Sequence, residues 1–144
     1  MMSKVQNLKQ ITQWQPNMKI QLKSWKVVNI SFTLLDKNNY REEDTFDLES
    51  GSYFPENLEY IFTVEFKISI KDKSFDLFVD ALFDFEIDEK ITEDFKLSDF
   101  PKINAPAIAF PYLRAFISNL TLQSGAYPII LPSINFVSLV EEKK

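Results

Sequence analysis

The sequence predicts an α+β protein, a four-stranded antiparallel sheet with a long helix and a short C-terminal helix packed on one side, and three observations carry that reading. Two long runs, from Tyr60 to Ile70 and from Phe75 to Ile87, alternate apolar and polar residues across a short charged turn. An apolar stripe at helix spacing then runs from Leu113 to Leu120 and stops at Gly125. All the strand patterns precede the helix patterns, and strands followed by helices segregate into two layers.

Taken in order, residues 1–16 are polar, with Val5, Leu8, Ile11 and Trp14 three apart and Pro16 at the end. They are expected to form an N-terminal arm ahead of a single domain over residues 17–144. From Met18 to Leu34 the even positions are apolar except Ser24 and Lys26, the period-two signature of a half-buried strand. At that break Trp25 and Val27 are apolar on the other parity, so a β-bulge or a switch of buried face is expected there. Asp36-Lys37-Asn38-Asn39 reads as a turn, and Thr45-Phe46-Asp47-Leu48 as a short strand. The following Ser50–Pro55 segment reads as a loop carrying Tyr53 and Phe54 side by side.

The hairpin is the strongest signal. Tyr60, Phe62, Val64, Phe66, Ile68 and Ile70 alternate with mostly polar neighbours, and Lys71-Asp72-Lys73-Ser74 makes the turn. On the return strand Phe75 to Ile87 keeps one face apolar, and the other carries Asp76, Asp80, Asp84 and Glu86. Residues 88–103 are acidic and mixed, a connection with one helical turn. Asn104 is then placed to cap a helix whose first turn tolerates Pro106 or Pro111. Leu113, Phe116, Ile117 and Leu120 follow the helix rule, Tyr112 adds apolar surface off that stripe, and Gly125 is expected as a left-handed cap. Arg114 is the sole charge between Pro111 and Val140. A helix so poor in charge needs cover on two sides, and its own sheet supplies only one. Tyr112, Leu113, Phe116, Ile117 and Leu120 are therefore expected at an interface with a second copy.

Composition narrows the function. The 14 Phe exceed what one small core obviously needs, which suggests an apolar binding surface or a multimer interface. A net charge of −5 opposes nucleic-acid binding. Without cysteine or histidine the chain lacks a thiolate, the commonest general base and the commonest metal ligand, and its two glycines cannot build a phosphate loop. Adjacent carboxylates such as Glu42-Glu43 or Glu93-Asp94 do not face one another on a regular element. No catalytic residue, metal site or cofactor is expected. No basic leader and no run of about 18 apolar residues is present, so a soluble, cytoplasmic chain without stable membrane insertion is expected.

Phe110-Pro-Tyr-Leu-Arg114, Leu120-Thr-Leu-Gln-Ser-Gly125, Tyr127-Pro128 and Leu131-Pro-Ser-Ile-Asn-Phe136 together resemble the protein-export chaperone family SecB in order and spacing. The strand richness in Phe and Lys is unusual for it and points to a divergent or SecB-like member. The resemblance implies a homotetramer, a dimer of dimers with the long helices between sheets. It also implies ATP-independent holding of unfolded preproteins in apolar grooves and delivery to SecA through an acidic sheet face. Solitary members that serve an antitoxin, or a structural protein of this fold without general clients, are the alternatives. On this basis Tyr53 and Phe54, the loop residues Tyr127, Ile129, Ile130 and Leu131, and Ile134, Phe136, Leu139 and Val140 of the closing segment are expected to line the groove. Asp76, Asp80, Asp84 and Glu86 are expected to dock a basic partner.

Overall fold

A computed structural model describes residues 19–142, so the expected N-terminal arm lies outside the described residues. Four strands form one sheet: β1 (Ile20–Leu34), β2 (Thr45–Tyr53), β3 (Ile61–Lys71) and β4 (Phe75–Ile87). Their order is β1-β4-β3-β2, and every neighbouring pair is antiparallel. The chain therefore meanders through β2, β3 and β4, while β1 reaches the far edge by a crossover. That crossover contains the expected turn as one short helical turn, Lys37–Asn39. Leu35 N–H donates to the Ser74 carbonyl (2.8 Å) and Arg41 N–H to that of Lys73 (2.9 Å), which fastens it to the β3–β4 turn. The turn is held by Asp72, whose carboxylate accepts from the backbone N–H and the hydroxyl of Ser74.

Strand β1 keeps its apolar residues on the inner face by slipping register twice, between Leu22 and Ser24 and between Val27 and Asn29. Each bulge adds one residue, so the inward set passes from Ile20 and Leu22 to Trp25 and Val27, then back to Ile30 and Phe32. The first bulge lies where the parity breaks in the sequence. The second was not visible there, because Val28 is apolar and kept the even pattern intact. Strand β2 is longer than expected. The segment read as a loop continues the ladder, with Ser50, Gly51, Ser52 and Tyr53 paired to Phe66, Glu65, Val64 and Thr63.

Helix α1 (Glu93–Leu97) starts where the Thr92 hydroxyl accepts from Phe95 N–H at 3.1 Å. A π-helical turn, Phe100–Asn104, leads without a break into helix α2 (Ala105–Gln123). Asn104 is therefore already helical and makes no side-chain cap, contrary to expectation. Pro106 lies in the first turn, but Pro111 is interior and deprives the Ala107 carbonyl of its partner. Both residues are exposed, so water can reach that carbonyl. At the other end Gly125 has φ 85°, with Gly125 N–H bonded to the Leu122 carbonyl and Ala126 N–H to that of Thr121. These two bonds make the expected left-handed cap a Schellman motif. Helix α3 (Phe136–Glu142) closes the described chain.

The core lies between the inner sheet face and α2. Ala105, Ala109, Leu113, Ile117 and Thr121, four residues apart, form the buried ridge of the helix, with Pro106 and Phe110 beside it. Most of the phenylalanines join this core rather than a surface. Phe62 stacks with Phe54 and Phe85 and meets Phe95 edge-on. Phe66 contacts Phe83, Phe110 and Phe136, with ring centroids 5.6–5.8 Å apart. With few glycines and short loops, rings this large fill the layer between sheet and helix. No helix among the described residues is long and apolar enough to cross a membrane.

Candidate functional site: an apolar groove beside the β2 edge

Among the described residues, strand β2 is one of the two edge strands of the sheet, with β3 on one side only. Its even residues Phe46, Leu48, Ser50 and Ser52 pair with Ile70, Ile68, Phe66 and Val64 and so share the inner face. Over this face runs the segment from Ile129 to Val140. One buried hydroxyl anchors that segment: Thr121 Oγ1 accepts from Ile129 N–H at 3.0 Å and donates to the Ser118 and Ile117 carbonyls. Phe136, 4% exposed, plugs the segment into Phe66 and Phe110.

Two clefts remain between strand and segment. One, of about 280 Å³, lies at the Tyr53 end, where Ser50 to Ser52 and Phe54 face Phe136, Leu139 and Val140. Lys96 of α1 and the π-turn residues Pro101 and Lys102 complete it. Ser52 Oγ donates to the Pro101 carbonyl at 2.9 Å and ties the strand to that turn. The other, of about 250 Å³, lies at the Thr45 end, bounded by Asp44, Phe46 and Ile70 and by Ile129 to Pro132. Asp47, Leu48 and Glu49 of the extended strand separate them, so Phe46 and Ser50 stand about 13 Å apart. The walls are mostly apolar and open to solvent, with Ile130 81% exposed.

The groove residues expected from sequence are brought together in part. Phe54, Phe136, Leu139 and Val140 border the first cleft, and Ile129, Ile130 and Leu131 the second. Leu131 and Phe136 are nearly buried and act as groove floor held by the core. Ile134 is half-buried against the core and borders neither cleft; Tyr127, 94% exposed, stands clear of both. Tyr53 is on the wrong face. It follows Ser52 in an extended strand, so its side chain points to the outer face, where its hydroxyl donates to Glu65 Oε1 at 2.6 Å. Thr121, Lys96, Pro101 and Lys102 went unmarked in the sequence, since none belongs to an apolar pattern.

The expected interface residues also divide. Leu113 and Ile117 are fully buried against the chain's own sheet, and Phe116 and Leu120 are half-buried, Phe116 edge-on to Trp25. Among the described residues Tyr112, Ile108 and Leu122 stay exposed, Tyr112 at 51%. The stripe counted from sequence was the core-facing one, and the uncovered apolar side lies next to it.

Asp76, Asp80, Asp84 and Glu86 share the outer face of β4, as expected, and most have partners within the chain. Arg41 reaches Asp76 at 2.6 Å, Thr63 donates to Asp84 at 2.7 Å, and Lys23 lies 3.7 Å from Glu86. Asp80 sits beside Glu65. Burial and then the hydrogen bond to Glu65 push the Asp80 carboxyl above its ordinary pKa. Burial also acts to raise Glu65, but bonds from Tyr53 and Asp80 outweigh it and hold Glu65 below its ordinary value. The same bond to the Glu65 carboxylate raises the Tyr53 phenol.

Comparison with known proteins gives the same architecture a family. The protein-export protein SecB of Ruegeria pomeroyi is 33% identical over 88 residues, which cover 56% of this chain and 51% of that protein. An uncharacterized protein of Methanocaldococcus jannaschii is 41% identical over 63 residues, covering 42% of this chain and 39% of that one. The aligned part thus spans about half or less of the length of these curated relatives. In fold, the chain matches a SecB-like chaperone of Mycobacterium tuberculosis, solved in complex with a ChAD peptide from the HigA1 antitoxin. The TM-score is 0.64 at 12% identity, over 89% of this chain and 96% of that one. A Streptococcus agalactiae protein of unknown function matches with a TM-score of 0.52 at 9% identity, over 80% of this chain and 98% of that one. The family model for preprotein translocase subunit SecB matches residues 56–144, more than half of the chain. With the hairpin, all three helices and the groove-bordering segment inside that match, the chain belongs to the SecB family.

Proposed function

We propose that this protein is a holdase chaperone that binds extended, non-native polypeptide segments in the groove beside β2, without nucleotide. The observation that carries the reading is the pair of open, mostly apolar clefts along a strand that is at the sheet edge among the described residues. Apolar burial is non-directional, about 25 cal/mol per Å², so such a groove accepts many sequences weakly at each point and more tightly in sum. Membership of the SecB family supports a chaperone rather than an enzyme.

Two client classes follow. Kinship with the Ruegeria export protein favours unfolded preproteins, with the outer-face carboxylates Asp76, Asp80, Asp84 and Glu86 as the surface for a basic partner such as SecA. Likeness to the Mycobacterium chaperone, whose structure holds an antitoxin peptide, favours a dedicated antitoxin client. Assembly as a homotetramer, a dimer of dimers, would cover the outer side of α2. The deciding experiment is refolding of a denatured, aggregation-prone protein with one equivalent of this chain. Light scattering should fall without ATP. Unchanged aggregation would remove the general holdase reading, and binding to a single antitoxin peptide alone would select the dedicated one.

A further inference from the structure

The chain enters β1 beside an open hollow that the client groove does not use. Lys19 N–H donates to Asp88 Oδ1 at 2.9 Å, and Gln21, Glu86 and Ile61 follow one another across β1, β4 and β3 on the outer face. Next to Ile61 and Glu86, the segment between β2 and β3 leaves a hollow of about 530 Å³. Apolar Leu58, Tyr60 and Ile61 line it together with the carboxylates Glu56, Glu59 and Glu86. Leu58 and Tyr60 are 41% and 47% exposed, large side chains left open at one end of the sheet. Glu59 lies 3.2 Å from Lys90 and Glu86 3.7 Å from Lys23, both exposed pairs of small worth, and among the described residues Glu56 has no cation partner.

We propose that residues 1–16 dock on this hollow of their own chain, with Trp14 as the anchor and Lys4 and Lys9 facing its carboxylates. Length permits it. Two strand spacings, about 10 Å, separate β1 from Ile61, and the six residues from Trp14 to Ile20 span up to about 20 Å when extended. Charge selects it. In a chain of net charge −5, residues 1–16 carry Lys4 and Lys9 and no acidic residue. The indole supplies apolar contact against Leu58 and Tyr60, and the lysines supply the sign that picks this hollow over the others. At the Phe54 cleft the two ionisable residues are Lys96 and Lys102, which repel a basic segment. The Thr45 cleft lies at the far end of the sheet, where β2 opposes Lys71 rather than Thr63.

The test reads the emission of Trp14, one of two tryptophans in the chain. Each protein is measured at full length with and without Trp14→Phe, and the difference spectrum isolates the Trp14 signal. Docked, Trp14 should emit to the blue of its position in the urea-unfolded chain and be quenched less by acrylamide. Leu58→Ser with Tyr60→Ser should return the emission to the unfolded position with circular dichroism unchanged, because both side chains stand at the surface. Lys4→Glu with Lys9→Glu, which leaves the folded domain untouched, should shift it part of the way, as should added salt in the wild type. Leu139→Asp, in the Phe54 cleft, should leave the Trp14 signal where it is. Solvent-like emission from wild-type Trp14 would overturn the proposal, as would a blue emission that survives both double variants. A shift produced by Leu139→Asp alone would seat these residues in the client groove and overturn it equally.

Discussion

Thr121 decides more than its size suggests. Its hydroxyl is buried and is the acceptor that holds Ile129 N–H, where the chain leaves α2 to pass over β2. Thr121→Val keeps the shape but orphans that donor, which should cost about 1–3 kcal/mol in a denaturant melt, whereas Thr121→Ser should retain most of the stability. Gly125 has open space around it, so Gly125→Ala pays only for the left-handed backbone, about 1–2 kcal/mol. Equal melts for wild type and variant would refute either assignment. On the outer face the sign of the pH effect follows from Asp80. Its raised pKa contributes stability below the unfolded-state value, and that contribution is lost as pH rises through the folded-state value. Glu65 runs oppositely, with stability present above its unfolded-state value and lost as pH falls through the lowered one. Asp80→Asn places a donor beside Glu65 at every pH. It should therefore melt above wild type near neutral pH and lose that advantage as acid protonates Asp80 in the wild type. A variant less stable than wild type at neutral pH would contradict the unfavourable pairing of the two carboxylates.

Among the elements, β1 and α2 each serve two sides. The two bulges of β1 let one strand keep its apolar residues inward over its whole length, yet Ile30 and Leu34 remain exposed on that face, 43% and 59%. Helix α2 buries a single ridge and leaves Ile108, Tyr112 and Leu122 in solvent. Such an uncovered apolar side is the signature of a surface that meets another chain. A charge at its centre, Tyr112→Asp, should lower the mass of the assembly measured by light scattering while leaving the secondary structure unchanged. Phe116→Asp is a poorer probe, since Phe116 packs on Trp25 and its loss would also weaken the fold. An unaltered mass for Tyr112→Asp would move the interface elsewhere.

For the whole molecule, assembly and client binding should be separable. The wild type is expected to be a tetramer at micromolar concentration, and a clean monomer would sink the account of α2. Leu139→Asp, at the groove and away from α2's outer side, should keep that mass but lose much of the suppression of aggregation. Full suppression by this variant would place clients outside the cleft.

Much of this protein was legible in its residues because period and punctuation are local. Alternation from Tyr60 to Ile87 specified the hairpin, and Gly125 marked the end of the long helix. The order of strands before helices specified the layers. Three things were decided only in three dimensions. The face taken by Tyr53 depended on whether Ser50 to Tyr53 joined the ladder, which is a property of β3 as much as of β2. The partners of the β4 carboxylates came from Arg41, Thr63 and Lys23, distant in sequence. The groove itself arose because a segment more than seventy residues after β2 folds back over that strand, pinned by one buried hydroxyl. Periodicity reports which side of an element is apolar; only packing decides which apolar surface becomes core and which stays open to bind.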